Sequence, residues 1–267
     1  MPDNKLLKLD SILQDLGSFV VGFSGGLDSS FLIHRAGLLK EVRFTAVTIH
    51  TEYVPEREIR ESKAFSSEYK INHVVIEVPF PDEIRNNPSD RCYLCKKRLF
   101  GKIVEYARNN GYRYVADGTN ADDKNDFRPG LRALSEMSIR SPLAEAGLSK
   151  KEIRELAHNA GFPFWNKPAL SCLLTRIPHG TEISEGMLRM IEKAEDHFIE
   201  KGYPGTRVRM HDDIARIECI PGDISKLVND PDLESIVTYL KKIGFRYVSL
   251  DLEGYRTGSM NPINPLK

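Results

Sequence analysis

Phe19-Val20-Val21-Gly22-Phe23-Ser24-Gly25-Gly26-Leu27-Asp28-Ser29-Ser30 is the segment around which the other elements of this chain arrange themselves. Phe19 to Phe23 is a short apolar, β-branched run, the pattern of a strand buried on both faces. Ser24 to Ser30 then turns sharply, and Phe31, Leu32, Ile33, Leu38 and Leu39 supply the apolar face of a following helix. A strand, a glycine turn and a helix start in that order make an anion site. Gly25 and Gly26 let the backbone come close to a ligand, and free N–H groups at the helix N-terminus point at it. Ser24, Ser29 and Ser30 add hydroxyl donors. Asp28 cannot hold phosphate directly, because like charges repel, so its expected partner is a Mg²⁺ ion that bridges to the phosphates.

SGGLDSS resembles the PP-loop signature, SGGxDS, of enzymes that split ATP between the α and β phosphates. It lacks the lysine of the P-loop pattern and the G-x-G-x-x-G of dinucleotide sites. A helix N-cap after a tight turn is the plainer alternative, since Ser and Asp favour that position too.

At 267 residues the chain has room for one large or two modest domains. Its 38 basic and 38 acidic side chains cancel, so no global charge points to nucleic acid or a membrane surface, although a local basic groove stays open. No apolar run approaches a membrane span, and the opening MPDNKLLKLD lacks the apolar core of a signal peptide. The cytoplasm is the expected compartment, where the four cysteines are seldom structural disulfides.

Leu6, Leu7, Leu9, Ile12, Leu13 and Leu16 recur at helical spacing and predict a helix ahead of the first strand. Residues 42–49 and 73–78 read as further strands, with a charged helix over 55–69 between them. A helix starting near Cys92 stops at Gly111, and Tyr114 to Ala116 leads into Asp117-Gly118-Thr119-Asn120. This alternation predicts an α/β fold with a doubly wound parallel sheet. Ligands of such sheets sit at the carboxyl ends of the strands where the order switches, so the turns holding Gly25, Gly26 and Gly118 are where ATP is expected. Residues 122–130 read as a polar active-site loop. Ser149 and Glu152 form a capping box for a helix over 150–159. The proline-rich FPFWNKPALSCLLTRIPHG reads as a hinge, with Phe164 and Trp165 as core residues. It divides a first domain, 1–165, from a smaller α+β domain, 166–267. There a helix over 184–201 buries Met187, Met190, Ile191, Ala194 and Phe198, and strands cover 207–210, 215–220 and 247–250. Helices over 224–228 and 233–243 complete it, and the tail from Gly254 reads as loose.

Cys92 and Cys95 form CxxC, Cys172 follows much later, and Cys219 reads as a buried core residue. A lone CxxC fits a redox pair, half a zinc site or chance. A zinc site wants four protein ligands, and no second CxxC or nearby histidine pair supplies them. Three thiolates suit a [4Fe–4S] cluster with one iron left open, while a redox dithiol and inert surface thiols are the alternatives. Arg91, Lys96, Lys97 and Arg98 would attract anions, or are simply the solvated face of a helix. Arg207 and Arg209 alternate on a strand and so share a face, either as a clamp for phosphate or as a solvated surface. Glu195, on the preceding helix, could orient one guanidinium.

Together SGGLDSS, DGTNADDKNDFRPG, the WNKP segment with Cys172 soon after, TRVRMHDDIARIE and YRYVSLDLEGYRTG resemble the LarE family over almost the whole chain. These are ATP-dependent sulfur transferases that build the nickel-pincer nucleotide cofactor. The resemblance implies a PP-loop domain followed by a small α/β domain, in homo-oligomers that are often hexamers. It implies adenylation of a carboxylate of a pyridinium-biscarboxylate mononucleotide, release of pyrophosphate and sulfur transfer to give a thiocarboxylate. Carried over, Ser24, Gly25, Gly26, Asp28 and Ser29 bind the phosphates and metal of ATP. Arg207, Arg209 and Glu195 match positions that hold the substrate phosphate, and Cys172 matches the sulfur-bearing cysteine. Some members sacrifice that single cysteine and lack the other two. With Cys92 and Cys95 present, this chain resembles the three-cysteine branch, in which Cys92, Cys95 and Cys172 are expected to bind a [4Fe–4S] cluster carrying an extra sulfide. Sacrificial transfer from Cys172, cluster-dependent tRNA thiolation, an amide-forming ligase and a nucleotide-binding module are the rival readings. Neutral charge and the lack of a terminal zinc module argue against a nucleic-acid partner.

Overall fold

Leu9, Leu13 and Leu16, spaced four and three apart, bury one stripe of the first helix, α1 (Pro2–Leu16). Leu7, on the opposite side, is exposed, which corrects its place in the predicted apolar face. The computed structural model describes residues 2–125, 129–163, 165–168, 171–256 and 259–260. It forms two units: Met1–Ile84 with Asp90–Ala169, and Arg85–Ser89 with Leu170–Lys267.

In the first unit α1 is followed by β1 (Ser18–Gly22), α2 (Leu27–Gly37), β2 (Arg43–His50), α3 (Glu56–Glu68), β3 (His73–Glu77), α4 (Arg91–Asn109) and β4 (Tyr114–Ala116). The strands form one parallel sheet in the order β3-β2-β1-β4. Successive side chains on a strand point to opposite faces. Phe19, Val21, Ala46 and Ala116 accordingly pack with Leu9, Leu32 and Phe65. Val20, Val47 and Val115 pack with Ile103 and Ala107 of α4. Helices therefore cover both faces, the physical reason that β1 reads as an unbroken apolar run. The chain steps from β1 to β2 and β3 on one side and returns to place β4 on the other. The carboxyl ends of β1 and β4 are thus neighbours at the switch in strand order, as expected.

Beyond β4, Arg140 pairs in parallel with Ala116. Among the described residues three helices follow: α5 (Pro129–Glu136), α6 (Pro142–Ala146) and α7 (Lys150–Asn159). The Ser149–Glu152 capping box is formed, Ser149 accepting from Glu152 N and Glu152 Oε2 accepting from Ser149 N at 2.9 Å. The helices α5 and α6 are too short for a periodic signature. The expected loop over 122–130 holds a 3₁₀ turn, Asp122–Asn125, and the first two residues of α5, while 126–128 lie outside the described residues.

The second unit contains α8 (Glu185–Glu200), β5 (Arg207–His211), β6 (Ile214–Glu218), α9 (Ile224–Val228), α10 (Leu233–Lys242) and β7 (Tyr247–Leu250). The hairpin of β5 and β6 is antiparallel, and α9 and α10 carry the chain back so that β7 joins β6 in parallel. Asn87, which has a positive φ of 47°, is fully buried and donates to Ile177 O and Pro178 O at 2.9 Å, tying residues 85–89 into this unit. Asparagine tolerates the left-handed region better than most side chains.

Some packing expectations fail. Leu38 caps α2 and faces solvent, and Trp165 is exposed with its ring edge-on to His158 at 4.7 Å. Phe164 lies outside the described residues. Met187 and Met190 are half-buried, and Leu188 takes the core position instead. Part of the predicted loose tail is held, because Ser259 Oγ donates to Glu218 Oε1 at 2.9 Å; residues 257–258 and 261–267 lie outside the described set. Among the described residues no helix is long and apolar enough to cross a membrane.

Candidate active site

At the carboxyl end of β1, Phe23 N still donates to Val47 O at 2.8 Å, so the chain leaves the sheet only at Ser24. Gly25 takes a φ of +72°, a conformation that disfavours side chains, and extended Gly26 caps α2. The serines brace this turn. Ser29 Oγ lies 3.2 Å from Ser24 Oγ and donates to Gly26 O at 3.2 Å, while Gly26 N donates to Ser24 Oγ at 3.4 Å. The result is a short cradle leading into the positive end of a helix. Gly118, after β4, presses against it: a Cβ there would lie 2.8 Å from Ser29 N and 3.0 Å from Ser29 Cα.

Asp28 occupies the first turn of α2. Its Oδ2 accepts from Lys150 Nζ at 2.7 Å and from Asn120 Nδ2 at 3.4 Å. Its Oδ1 is buried and meets no hydrogen-bond partner among the described residues. Burial raises the Asp28 carboxyl above its ordinary value, against the opposing pull of Lys150. A buried carboxylate oxygen left open beside an anion cradle fits a hard divalent cation, which takes oxygen ligands. Lys167, in the WNKP segment, donates to Gly25 O at 2.9 Å and pairs with Glu61 at 2.5 Å. Sequence reasoning missed Asn120, Lys150 and Lys167 as neighbours of the cradle. Asn120 and Lys167 lie in segments that stand out by their motifs; for Lys150 the only local signal is its place after a strong N-cap.

Cys92 and Cys95 lie three apart in the first two turns of α4 and so share one side of it. Cys92 is exposed; Cys95 is half-buried, with Tyr53 Oη 3.1 Å from its sulfur. Cys172 belongs to the second unit, where it caps a 3₁₀ turn, Leu173–Arg176. None of the four cysteines is in a disulfide, and Cys219 is buried as expected. Among the described residues no group of three or more His, Cys, Asp or Glu is gathered as a metal site.

Arg207 and Arg209 share a face of β5, and both are buried, so the solvated-surface reading of this pair is excluded. Arg209 donates to Glu218 Oε2 at 2.7 Å through Nη2 and to Thr175 O at 2.9 Å. Arg207 stands over the Tyr255 ring, 5.4 Å from its centroid. Glu195 does orient a guanidinium, but that of Arg176, which sequence reasoning missed. Arg176 Nε and Nη2 reach the two Glu195 oxygens at 2.8 and 2.9 Å, and both residues are almost fully buried. Burial alone would raise the Glu195 carboxyl; Arg176 and then Arg207 hold it below its ordinary value. Arg176 Nη1 also donates to Ser171 O at 3.1 Å and Cys172 O at 3.3 Å, fixing the backbone that carries the Cys172 thiol.

No family model matches the chain. It is 36% identical over 260 residues to the pyridinium-3,5-bisthiocarboxylic acid mononucleotide synthase of Lactiplantibacillus plantarum, covering 96% of this chain and 94% of that protein. An uncharacterized protein of Synechocystis is also 36% identical, over 98% of this chain and 99% of its own length. The tRNA-specific 2-thiouridylase MnmA of Clostridium kluyveri is 25% identical over 68% of this chain and 62% of that protein. With a PP-loop turn at the switch of a parallel sheet and near full-length similarity to the synthase, the chain belongs to the LarE family of ATP-dependent sulfur transferases.

Proposed function

We propose that this enzyme adenylates a carboxylate of pyridinium-3,5-biscarboxylic acid mononucleotide and replaces an oxygen by sulfur, giving a thiocarboxylate in nickel-pincer cofactor biosynthesis. The observation that carries this reading is the 36% identity to the synthase over 96% of the chain. On this reading residues 1–165 form the doubly wound ATP-binding domain, and 166–267 bind substrate and support homo-oligomers.

The residues present suit the chemistry. A carboxylate is a poor electrophile, and adenylation gives it a good leaving group. Backbone N–H groups of the Ser24 to Ser29 turn receive the phosphates and stabilise charge on the departing pyrophosphate. Gly118 keeps the β4 turn close enough to hold that cradle in shape. Asp28 would hold the Mg²⁺ through its open oxygen. Arg207 and Arg209, with Glu195 orienting Arg176 beside them, are the proposed ligands of the substrate phosphate; planar guanidiniums suit bidentate phosphate recognition. Cys172, which matches the position of the family's sulfur-bearing cysteine, is proposed as a ligand of the group that carries the sulfide.

Cys92, Cys95 and Cys172 would hold a [4Fe–4S] cluster: three cysteines outside any disulfide are the donor set it takes, although they come from both units. When bound, such a group supplies an open iron position for sulfide. ATP–pyrophosphate exchange that requires the dicarboxylate mononucleotide, with mass spectrometry showing oxygen replaced by sulfur, tests the proposal. Exchange that instead requires tRNA would replace it with the thiolation reading, which the weaker likeness to MnmA favours.

A further inference from the structure

The proposed reaction, on which this inference rests, leaves Lys150 at the PP loop without a task. Lys150 is the first residue of α7. Its backbone cannot drift: its N–H donates to Asp122 Oδ2 at 2.8 Å, and Ser149 before it is held in the capping box. From this fixed root the side chain reaches Asp28 Oδ2 at 2.7 Å, while Oδ1 stays buried and open among the described residues. Asn120 Nδ2 reaches the same Oδ2 at 3.4 Å, and the Asp123 carboxylate adds negative potential nearby. The Asp28 side chain is 19% exposed and that of Lys150 31%. One oxygen of Asp28 is therefore neutralised by an ammonium, and the other, in the first turn of the helix that follows the cradle, is buried without a hydrogen-bond partner among the described residues.

A half-buried carboxylate without a counter-charge is costly, and Lys150 supplies that charge to Asp28. A magnesium-bearing triphosphate brings its own positive charge, and the ammonium and the metal then compete for one carboxylate. Lysine carries a compact point charge on a flexible four-carbon stem, so the ammonium can leave while its Cα stays in place. We propose that Lys150 is a positioning residue that holds Asp28 Oδ2, and so keeps the open Oδ1 aimed, before the divalent cation binds, and that moves to a phosphate oxygen once the cation sits on Oδ1.

The test uses the full-length protein and Mn²⁺ alone, without nucleotide, read by titration calorimetry and by thermal unfolding. The variant K150Q should have a lower Tm than wild type without metal. It should bind Mn²⁺ about tenfold more tightly, the low end of what one adjacent unit charge does to a carboxylate's equilibria. Its Tm should also rise further on adding Mn²⁺. K150R, which restores the ion pair, should behave as wild type in both measurements, and D28N/K150Q should lose the Mn²⁺ response. In ATP–pyrophosphate exchange, K150Q should raise KM for MgATP more than it lowers kcat. Equal or weaker Mn²⁺ binding by K150Q, or an Mn²⁺ response retained in D28N/K150Q, overturns the proposal. Because the metal arm needs no acceptor, loss of dicarboxylate-dependent exchange in wild type would sink the functional reading and leave this result standing.

Discussion

Gly118 shows how tightly the turn after β1 is built at the level of single atoms. A methyl group there meets the backbone of Ser29, which has no flexible end to move aside. G118A should therefore destabilise the protein by about 1–3 kcal/mol, the usual cost of overpacking, and weaken nucleotide binding as well. Denaturant unfolding and a nucleotide titration check this; unchanged values in both would mean that the turn has slack. The reason for a glycine here was invisible in sequence, because the atom it avoids lies on another element. Asp28 behaves similarly. Its type and its place after two glycines pointed to a cation, but its partners Lys150 and Asn120 come from far along the chain.

At the scale of elements, the start of α7 binds two parts of the first unit through Glu152. The ammonium of Lys5, and then the backbone N–H of Ser149, lower the Glu152 carboxyl to about 2. Its folded value lies below its unfolded one, so the stability it confers is complete above about 4.5 and is lost as pH falls from there toward about 2. E152Q should flatten the acid limb of the unfolding profile in that window; an unchanged slope would show that the box and ion pair do not contribute. The helix itself was legible, because a capping box is a local signature. Its link to Lys5 was not. In the second unit, α8 delivers Glu195 to Arg176 with both charges buried. E195Q should cost about 3–5 kcal/mol by leaving a buried guanidinium uncompensated, whereas R176M/E195M should cost much less than the sum of its single changes. Additive costs in that cycle would show that the two residues act separately. The pair Arg207 and Arg209 was visible from strand alternation, but Arg176 carried no periodic mark and was found only by packing.

At the scale of the whole chain, the three thiols proposed for the cluster are divided, with Cys92 and Cys95 in the first unit and Cys172 in the second. Anaerobic reconstitution of wild type should give a brown protein with about four irons per chain. C172S and C92S/C95S should each fall well below that content, since each removes ligands the other unit does not replace. Full iron retention by C172S would assign the iron to some other site. A colourless wild-type protein that loses one sulfur from Cys172 per product would favour sacrificial transfer instead. No helix among the described residues meets the requirements of a membrane span, consistent with the absence of long apolar runs.

Local pattern was enough to place the parallel sheet, the PP-loop turn and most elements of both units. Strand runs, glycine turns and helix caps are made by neighbours in sequence, so their physics is written there. The expected ATP position also followed, because strand order with right-handed crossovers leaves a crevice where that order reverses. Folding itself chose which oxygen of Asp28 stays open, which arginine Glu195 holds, and why Gly118 tolerates no side chain. Those outcomes depend on burial and on partners more than twenty residues away or in separate elements. Desolvation and close packing act between such groups only once the chain has collapsed.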